Sequence, residues 1–368
     1  MRVVIAAGGT GGHIFAALAL ADALARDHGA EVRFIGTPGG QEATRVPAAG
    51  YRFDAAPSVP FYREVSLRAA KAPVVALRSA WTCAPLVEGA DVAVGTGGYA
   101  SVPAILAARR AHVPIVLHEP NARPGLANRM LARFASAIGV AFEDVGQRLR
   151  GTARIEVIGY PVREAILRVA DHRIALADEA RQTMGLDPDR RTVLVWGGSQ
   201  GALHLDEVVA AALPSLRSDE HLQLIVLTGP ANLGVVAPAA DRATGVRVRA
   251  LPFLDRMELA FAVADLAVSR AGATTIAEQT VCGLPALLVP YPHATENHQE
   301  ANARELERAG AASVVLDADL TPRVLVDRVR AMLGDPARLA SMAARSLAWA
   351  KPDAVDRFAR LVAEVAKR

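Results

Sequence analysis

Residues 3–15 read VVIAAGGTGGHIF, and residues 191–204 read RTVLVWGGSQGALH. Each is a short apolar run, then a glycine-rich turn, then a stretch with helical periodicity. The first continues through FAALALADALARD, which predicts a helix over Phe15–Asp27. A buried strand feeding a glycine loop and then a helix opens a parallel α/β sheet. Because the unit occurs twice, two α/β domains are expected, each with its own glycine loop.

The intervening chain repeats the alternation. EVRFIG (31–36), DVAVG (91–95), PIVLHE (114–119) and ASAIGVAF (135–142) read as strands of the first sheet. LQLIVLTG (222–229), VRVRALPF (246–253), DLAVSR (265–270) and PALLVP (285–290) read as strands of the second. A proline ends a strand within VIGYPVRE (157–164), so the boundary is set there. In KPDAVDRFARLVAEVAKR (351–368), Val355, Phe358, Val362 and Val365 share one helical face. That helix is surplus to the second sheet and is expected to pack on the first domain. The domains are therefore read as 1–160 plus 346–368, and 161–345.

Composition narrows the function. The 368 residues are 52% apolar and 21% charged, enough to fill large cores. The net charge of +3 is too small for a nucleic-acid protein, and no nucleic-acid partner is expected. The charge is uneven: residues 1–160 carry +5 and the remainder −2, so the first part is the better suited to anions. Two cysteines, Cys83 and Cys282, fit no zinc pattern and suit a reducing compartment. No signal peptide or membrane span is read, so a cytoplasmic location is expected.

Ligands of parallel α/β sheets bind beyond the carboxyl ends of the strands. A glycine loop opening a helix presents backbone N–H groups and the positive end of the helix dipole, which suits phosphate. Three such loops occur, Gly8–Gly12, Gly95–Gly98 and Gly197–Gly201. Their equivalent positions favour phosphate ligands over turns made for packing alone. No GxxxxGK[ST] is present, which excludes a P-loop hydrolase. GTGGYA (95–100) with Glu119 imitates a dinucleotide fingerprint, but not in the first strand–helix unit. GGSQG (197–201) imitates a nucleophile elbow, but a hydrolase needs no complete α/β domain before its serine. Asp187-Pro188-Asp189 and Asp317-Ala318-Asp319 fit a D-x-D metal pattern but read as solvated turn residues. No metal site and no required cofactor are expected.

GGTGGHIF, GTGGYAS, HEPNARPGLANR, GYPVR, GGSQGA, SRAGATTIAE and PHATENHQEANA follow one another along the chain. In this order they resemble the MurG family, the UDP-N-acetylglucosamine–N-acetylmuramyl-(pentapeptide) pyrophosphoryl-undecaprenol N-acetylglucosaminyltransferases. The resemblance implies a GT-B fold: two Rossmann-like domains with a cleft between them and a C-terminal helix returning to the first. It implies inverting transfer of GlcNAc from UDP-GlcNAc to the C4 hydroxyl of MurNAc in lipid I, giving lipid II. The alternative is another GT-B sugar-nucleotide enzyme, such as a UDP-GlcNAc epimerase. A sugar-nucleotide binding module would not need His13.

Residue roles follow from the resemblance. His13 and Glu278 are the catalytic candidates. Thr10, Gly11, Gly12, Arg163, Ser199, Gln200, Leu254, Arg270, Thr274, Thr275, Glu278, Gln299 and Asn302 are the donor-binding candidates. Gly9, Thr10, Gly11, His13, Gly97, Tyr99 and Asn121 are the acceptor-binding candidates. His13 is either a general base or a histidine that only hydrogen-bonds at a helix start. Glu278 either binds ribose hydroxyls or completes a capping box with Thr275. His118 is either a ligand or a buried strand-end histidine. Pro120, Tyr160 and Ala271 depart from residues common in the family. Residues 61–86 combine Arg63, Arg68, Lys71 and Arg78 with Leu67, Val74, Val75, Leu77 and Trp81. They read either as an amphipathic helix of the core or as a contact with an anionic inner-membrane leaflet. The expected location is then peripheral, on the cytoplasmic face, beside other cell-wall synthesis enzymes.

Overall fold

The computed structural model describes residues 1–8, 11–58, 67–151, 153–198 and 200–367. The chain forms two compact units, Met1–Arg163 with Lys351–Arg368, and Glu164–Ala350. The return to the first unit comes five residues later than the expected 346, because the helix Pro336–Trp349 runs unbroken to its end first. The other boundary moves three residues on, past Val162 and Arg163.

The first unit holds a seven-stranded, wholly parallel sheet. Its strands are β1 (Arg2–Ala6), β2 (Glu31–Gly36), β3 (Arg52–Ala55), β4 (Val92–Gly95), β5 (Ile115–Glu119), β6 (Ala137–Val140) and β7 (Arg154–Val157), in the order 3-2-1-4-5-6-7. The second holds β8 (Arg191–Trp196), β9 (Leu222–Leu227), β10 (Arg247–Leu251), β11 (Leu266–Ser269), β12 (Ala286–Leu288) and β13 (Ala312–Val314), in the order 10-9-8-11-12-13. These are two copies of one topology. The order reverses beside the first strand of each, between β1 and β4 and between β8 and β11. At such switch points the loops leaving neighbouring strands diverge and open a ligand crevice. The glycine loops after β1, β4 and β8 all lie at switch points, as does the 270–272 turn after β11.

The central strands are buried on both faces, as helix-covered parallel strands must be. One side of the first sheet packs Val3, Ile5, Val92 and Val94 against Leu20 and Leu24 of the helix Gly11–His28. Phe358, Leu361, Val362 and Val365 of the helix Ala354–Ala366 complete that layer. The C-terminal helix thus covers the first sheet, as its apolar face requires. On the other side, Cys83 and Val87 meet Ala104 and Ala107. In the second unit, Val193, Val195, Leu224 and Val226 pack against Leu205, Val209, Val326 and Val329.

Candidate active site

The two units are built alike, and the candidate residues of each are described by themselves. In the first unit the helix begins at Gly11, inside the glycine loop and four residues before the expected start. His13 therefore lies in the first helical turn and not in the loop. Its Nδ1 is 2.8 Å from the Thr96 carbonyl, which only accepts. Nδ1 thus carries the proton and Nε2 the lone pair, the tautomer a general base needs.

The glycines before and beside His13 answer to close packing. A Cβ at Gly97, where φ is +97°, would stand 3.1 Å from His13 Cε1. One at Gly98 would stand 2.9 Å from the Gly8 carbonyl, and one at Gly8 would overlap the Glu42 carboxylate. The loops after β1 and β4 therefore touch through backbone, with His13 at their junction. Glu42 is buried behind them and accepts from the Thr37 amide at 2.9 Å and the Thr37 hydroxyl at 2.5 Å. Tyr99 is half-buried at the start of the 99–101 turn beside Gly98.

Glu119 organises the adjacent loop. This buried carboxylate at the end of β5 accepts from the Asn121 amide (3.0 Å), the Gly125 amide (3.0 Å) and Asn128 Nδ2 (2.9 Å). Burial raises its pKa against the pull of these donors. Its oxygens are engaged by its own loop, which removes the dinucleotide reading. Asn121 is half-buried there, with Nδ2 3.4 Å from Glu119 Oε1. Asn128 also donates to the His118 carbonyl at 2.8 Å, and a Cβ at Gly97 would stand 3.5 Å from its Nδ2. Sequence reasoning singled out neither Glu119 nor Asn128 as a site residue. The available signal was an acid closing the apolar run IVLHE, where burial forces it to find local donors.

His118 belongs to the core. It is buried against Tyr160 and Phe358, and its Nε2 donates to the Gly159 carbonyl at 3.1 Å. Burial lowers its pKa to about 4, so the ring is neutral at pH 7. Arg163 stacks on Phe15, its guanidinium carbon 4.9 Å from the ring centre, and Arg45 lies at the same distance.

In the second unit the loop after β8 separates two uses of glycine. Gly197 and Gly201 are pinned by packing. A Cβ on Gly197 would stand 2.5 Å from the Ala202 nitrogen, and one on Gly201, where φ is +77°, would overlap the Thr228 carbonyl. A Cβ at Gly198 would meet nothing within 4 Å, so open space lies above it. Gln200 is exposed beside it. Asp206, in the first turn of the following helix, accepts from Asn232 Nδ2 at 2.9 Å and the Ala202 amide at 3.4 Å. Burial raises its pKa to about 6.

The turn after β11 and the groups behind it differ from the sequence expectation at the capping box and at the two D-x-D turns. The helix Ala273–Val281 is capped at Gly272, so Thr275 is its third residue and Glu278 its sixth. Thr275 and Glu278 therefore form no capping box. Thr274 and Thr275 stand half-buried in the first turn, and Glu278 is buried on the same helix. Arg270 commits its guanidinium Nη1 to the protein and leaves its buried Nε without a hydrogen-bond partner among the described residues. It is buried, pairs with Asp317, and donates to the Val289 and Pro290 carbonyls at 3.2 and 3.3 Å. Asp317 is correspondingly no solvated turn residue, since it also meets His204 Nδ1 at 3.0 Å. Asp187 likewise meets Arg190 Nε at 3.3 Å and Arg247 Nη1 at 3.7 Å. Asn302 is fully buried and donates to the Ala271 carbonyl at 3.2 Å. It supports the turn from behind.

Gln299 keeps a surface role. Its Oε1 accepts from the Ala271 and Tyr291 amides at 3.1 and 3.0 Å, which fixes Nε2 as a donor 4.0 Å from a Cβ position on Gly272. Leu254 is half-buried in the loop after β10, beside an exposed Phe253. Gly9, Thr10, Ser199 and residues 61–66 lie outside the described residues.

The helix Leu67–Val87 turns Ala76, Ser79, Cys83 and Val87 inward. It leaves Leu77 and Trp81 outward, at 58% and 62% exposure. The Arg110 guanidinium carbon stands 4.1 Å over the Trp81 ring, and Arg109 and Arg133 flank Phe134. No helix among the described residues is long and apolar enough to cross a membrane.

Comparison with known proteins places this geometry in a family. The glycosyltransferase family 28 N-terminal domain matches residues 3–140, and its C-terminal domain matches residues 192–358. The UDP-N-acetylglucosamine--N-acetylmuramyl-(pentapeptide) pyrophosphoryl-undecaprenol N-acetylglucosamine transferase of Halothermothrix orenii is 40% identical, over the whole of both chains. The crystal structure of Acinetobacter baumannii MurG superposes with a TM-score of 0.79, at 28% identity over 99% of each chain. The UDP-GlcNAc 2-epimerase of Neisseria meningitidis superposes with a TM-score of 0.71, over 99% of this chain and all of its own, but at only 12% identity. That likeness is one of fold alone. The fold is GT-B, and the chain belongs to glycosyltransferase family 28, among the UDP-N-acetylglucosamine--N-acetylmuramyl-(pentapeptide) pyrophosphoryl-undecaprenol N-acetylglucosamine transferases.

Proposed function

We propose that this protein transfers GlcNAc from UDP-GlcNAc to the C4 hydroxyl of MurNAc in lipid I, with inversion, to form lipid II. His13 Nε2 takes the hydroxyl proton as the oxygen attacks the anomeric carbon. The anomeric C–O bond breaks on the opposite face, and its electron pair leaves on UDP. The second unit receives that charge through the amides of the 197–201 loop and of the helix start at Gly272–Thr275. Glu278 accepts from the ribose hydroxyls, Gln299 Nε2 donates to the sugar, and Leu254 offers backbone to the uracil. Thr10, Gly11, Gly12, Arg163, Ser199, Gln200, Thr274 and Thr275 complete the donor contacts. Gly9, Gly97, Tyr99 and Asn121 join Thr10, Gly11 and His13 toward the acceptor and its diphosphate.

The observation that carries this reading is the His13 ring. One nitrogen is tied to Thr96 and the other holds a lone pair, at a helix start that disfavours the imidazolium. A binding module has no use for that arrangement. The test is UDP release from UDP-GlcNAc with a lipid I analogue, in the wild type, His13→Ala and Glu278→Ala. Release that proceeds at full rate without acceptor would reject the assignment. UDP-GlcNAc, and not NAD, should raise the melting temperature by mass action.

The outward face of the helix Leu67–Val87 supports a membrane role. Leu77, Trp81 and Phe134 among Arg78, Arg109, Arg110 and Arg133 suit an anionic leaflet that presents a lipid-linked acceptor. The protein would then be peripheral on the cytoplasmic face of the inner membrane, near other cell-wall synthesis enzymes. Vesicles with anionic lipid should bind it, and Arg68/Lys71/Arg78→Glu should weaken the binding. Equal binding of wild type and variant would remove this part of the proposal. The proposed chemistry assigns no step to a metal or cofactor.

A further inference from the structure

We infer that Tyr160 is a positioning residue for His13. The inference rests on the reading of His13 as the base. The first turn of the helix before His13 consists of Gly11 and Gly12. Consecutive glycines have the freest backbone available, so by themselves they leave the position of the next residue loosely set. The structure supplies an outside brace at that point. Tyr160 is only 6% exposed, and its hydroxyl donates to the Gly12 carbonyl at 2.5 Å. The acceptor belongs to the peptide group that joins Gly12 to His13. His13 is thus held at two places, its backbone by Tyr160 and its ring by the Thr96 carbonyl.

Tyr160 is itself fixed from behind. Its ring lies against His118, 5.8 Å between centres, and His118 lies against Phe358 at 5.0 Å. His118 Nε2 donates to the carbonyl of Gly159, the residue before Tyr160. A Cβ at Gly159 would stand 2.5 Å from Lys351 Cβ and 3.2 Å from Ala354 Cβ, so this turn is pressed against the start of the C-terminal helix. The C-terminal helix therefore does more than cover the sheet. Through His118, Gly159 and Tyr160 it backs the turn that carries the base.

The test is a double-mutant cycle on kcat for acceptor-dependent UDP release, with Tyr160→Phe, His13→Ala and the pair. Tyr160→Phe keeps the ring and its packing and removes only the hydroxyl. It should lower kcat about tenfold, since small misplacements of a reacting group carry large rate effects. KM for UDP-GlcNAc should change less than twofold, and the melting temperature should stay near that of the wild type. In the His13→Ala background the same substitution should have no further effect. An equal loss in both backgrounds, or no loss in the wild-type background, would overturn the inference while leaving the base intact. A fully active His13→Ala would instead reject the base reading itself. A loss of kcat matched by a loss of folded protein would assign Tyr160 to stability alone.

Discussion

The loops after β1 and β8 occupy the same place in two copies of one topology, yet the groups around them differ. Around the first loops lie two buried carboxylates, Glu42 and Glu119, that accept from amides, a threonine hydroxyl and asparagine side chains, with Glu42 Oε2 left without a partner among the described residues. The second has a carboxylate of the same kind in Asp206 but adds a buried ion pair, Arg270 with Asp317. His13, with Nδ1 bonded to the Thr96 carbonyl, stands at the junction of the first unit's loops. In the second unit Arg270 pairs with Asp317. In the proposed reaction, anion attraction there draws on helix starts and loop amides.

The sharpest way to break this comparison is to separate chemistry from donor binding. His13→Ala should lower kcat by about 10²–10⁴, the usual range for a general base. It should leave the thermal shift caused by UDP-GlcNAc intact. Glu278→Ala should reduce that thermal shift and raise KM for UDP-GlcNAc. If both variants lose donor binding equally, the division of labour between the units is wrong.

Next in size is the buried ion pair. Removing one partner of a buried pair leaves an uncompensated charge, at about 3–5 kcal/mol. Arg270→Met should therefore destabilise the second unit strongly. The double variant Arg270→Met/Asp317→Leu should recover most of the loss, because two apolar groups need no partner. Chemical denaturation of the three proteins checks this. A single variant as stable as the wild type would mean that the pair is solvent-screened and not structural.

These contacts also show how much of the molecule its sequence made legible. The buried central strands and the glycine loops stand out because each carries a local pattern. The strands missed were β3 and β13, and the strand expected to end at Pro161 is β7, which ends four residues earlier at Val157. All three lie at sheet edges, and RFDA and RIEV, partly open to water, carry no apolar run. The site was legible where a residue acts through its neighbours, as with His13 and Gly97. It was not legible where the partner is remote. Nothing near Arg270 in sequence signals Asp317, 47 residues on, which pairs with it. Nothing near Asn302 signals that the Ala271 carbonyl, 31 residues back, is its acceptor. The capping box failed because the helix starts at Ala273, two residues before Thr275.

The neutral core of the first unit gives a smaller, pH-dependent signal. His118 has a folded pKa of about 4, below its ordinary 6.5. The unfolded chain therefore binds the proton first as pH falls. The stability of the neutral ring is complete above pH 6.5 and is lost progressively toward pH 4, by about 3 kcal/mol at most. His118→Gln should flatten the stability of the first unit across that interval. An unchanged slope would assign the acid sensitivity to other groups.

Asp206 gives the smallest effect and the opposite sign. Its folded pKa is raised to about 6 from 3.8, so here the native state holds the proton more tightly. Its stabilising contribution is present at low pH and is lost as pH rises through 6. At pH 8 the carboxylate is ionised beneath the 197–201 loop, with one Asn232 amide and one backbone amide as donors. Asp206→Asn keeps an oxygen for those donors and removes the charge. It should stabilise the second unit by about 1 kcal/mol at pH 8, a rise in melting temperature of about 2–4 °C. Below pH 3.8, where the carboxyl is protonated in the folded and the unfolded chain alike, the gain should vanish. The same substitution bears on the comparison of the two loops. If the loop after β8 holds the UDP diphosphate, removing an anion from beneath it should also tighten UDP binding at pH 8, and not at pH 4.5. A variant that gains stability without gaining UDP affinity would separate the Asp206 charge from the nucleotide.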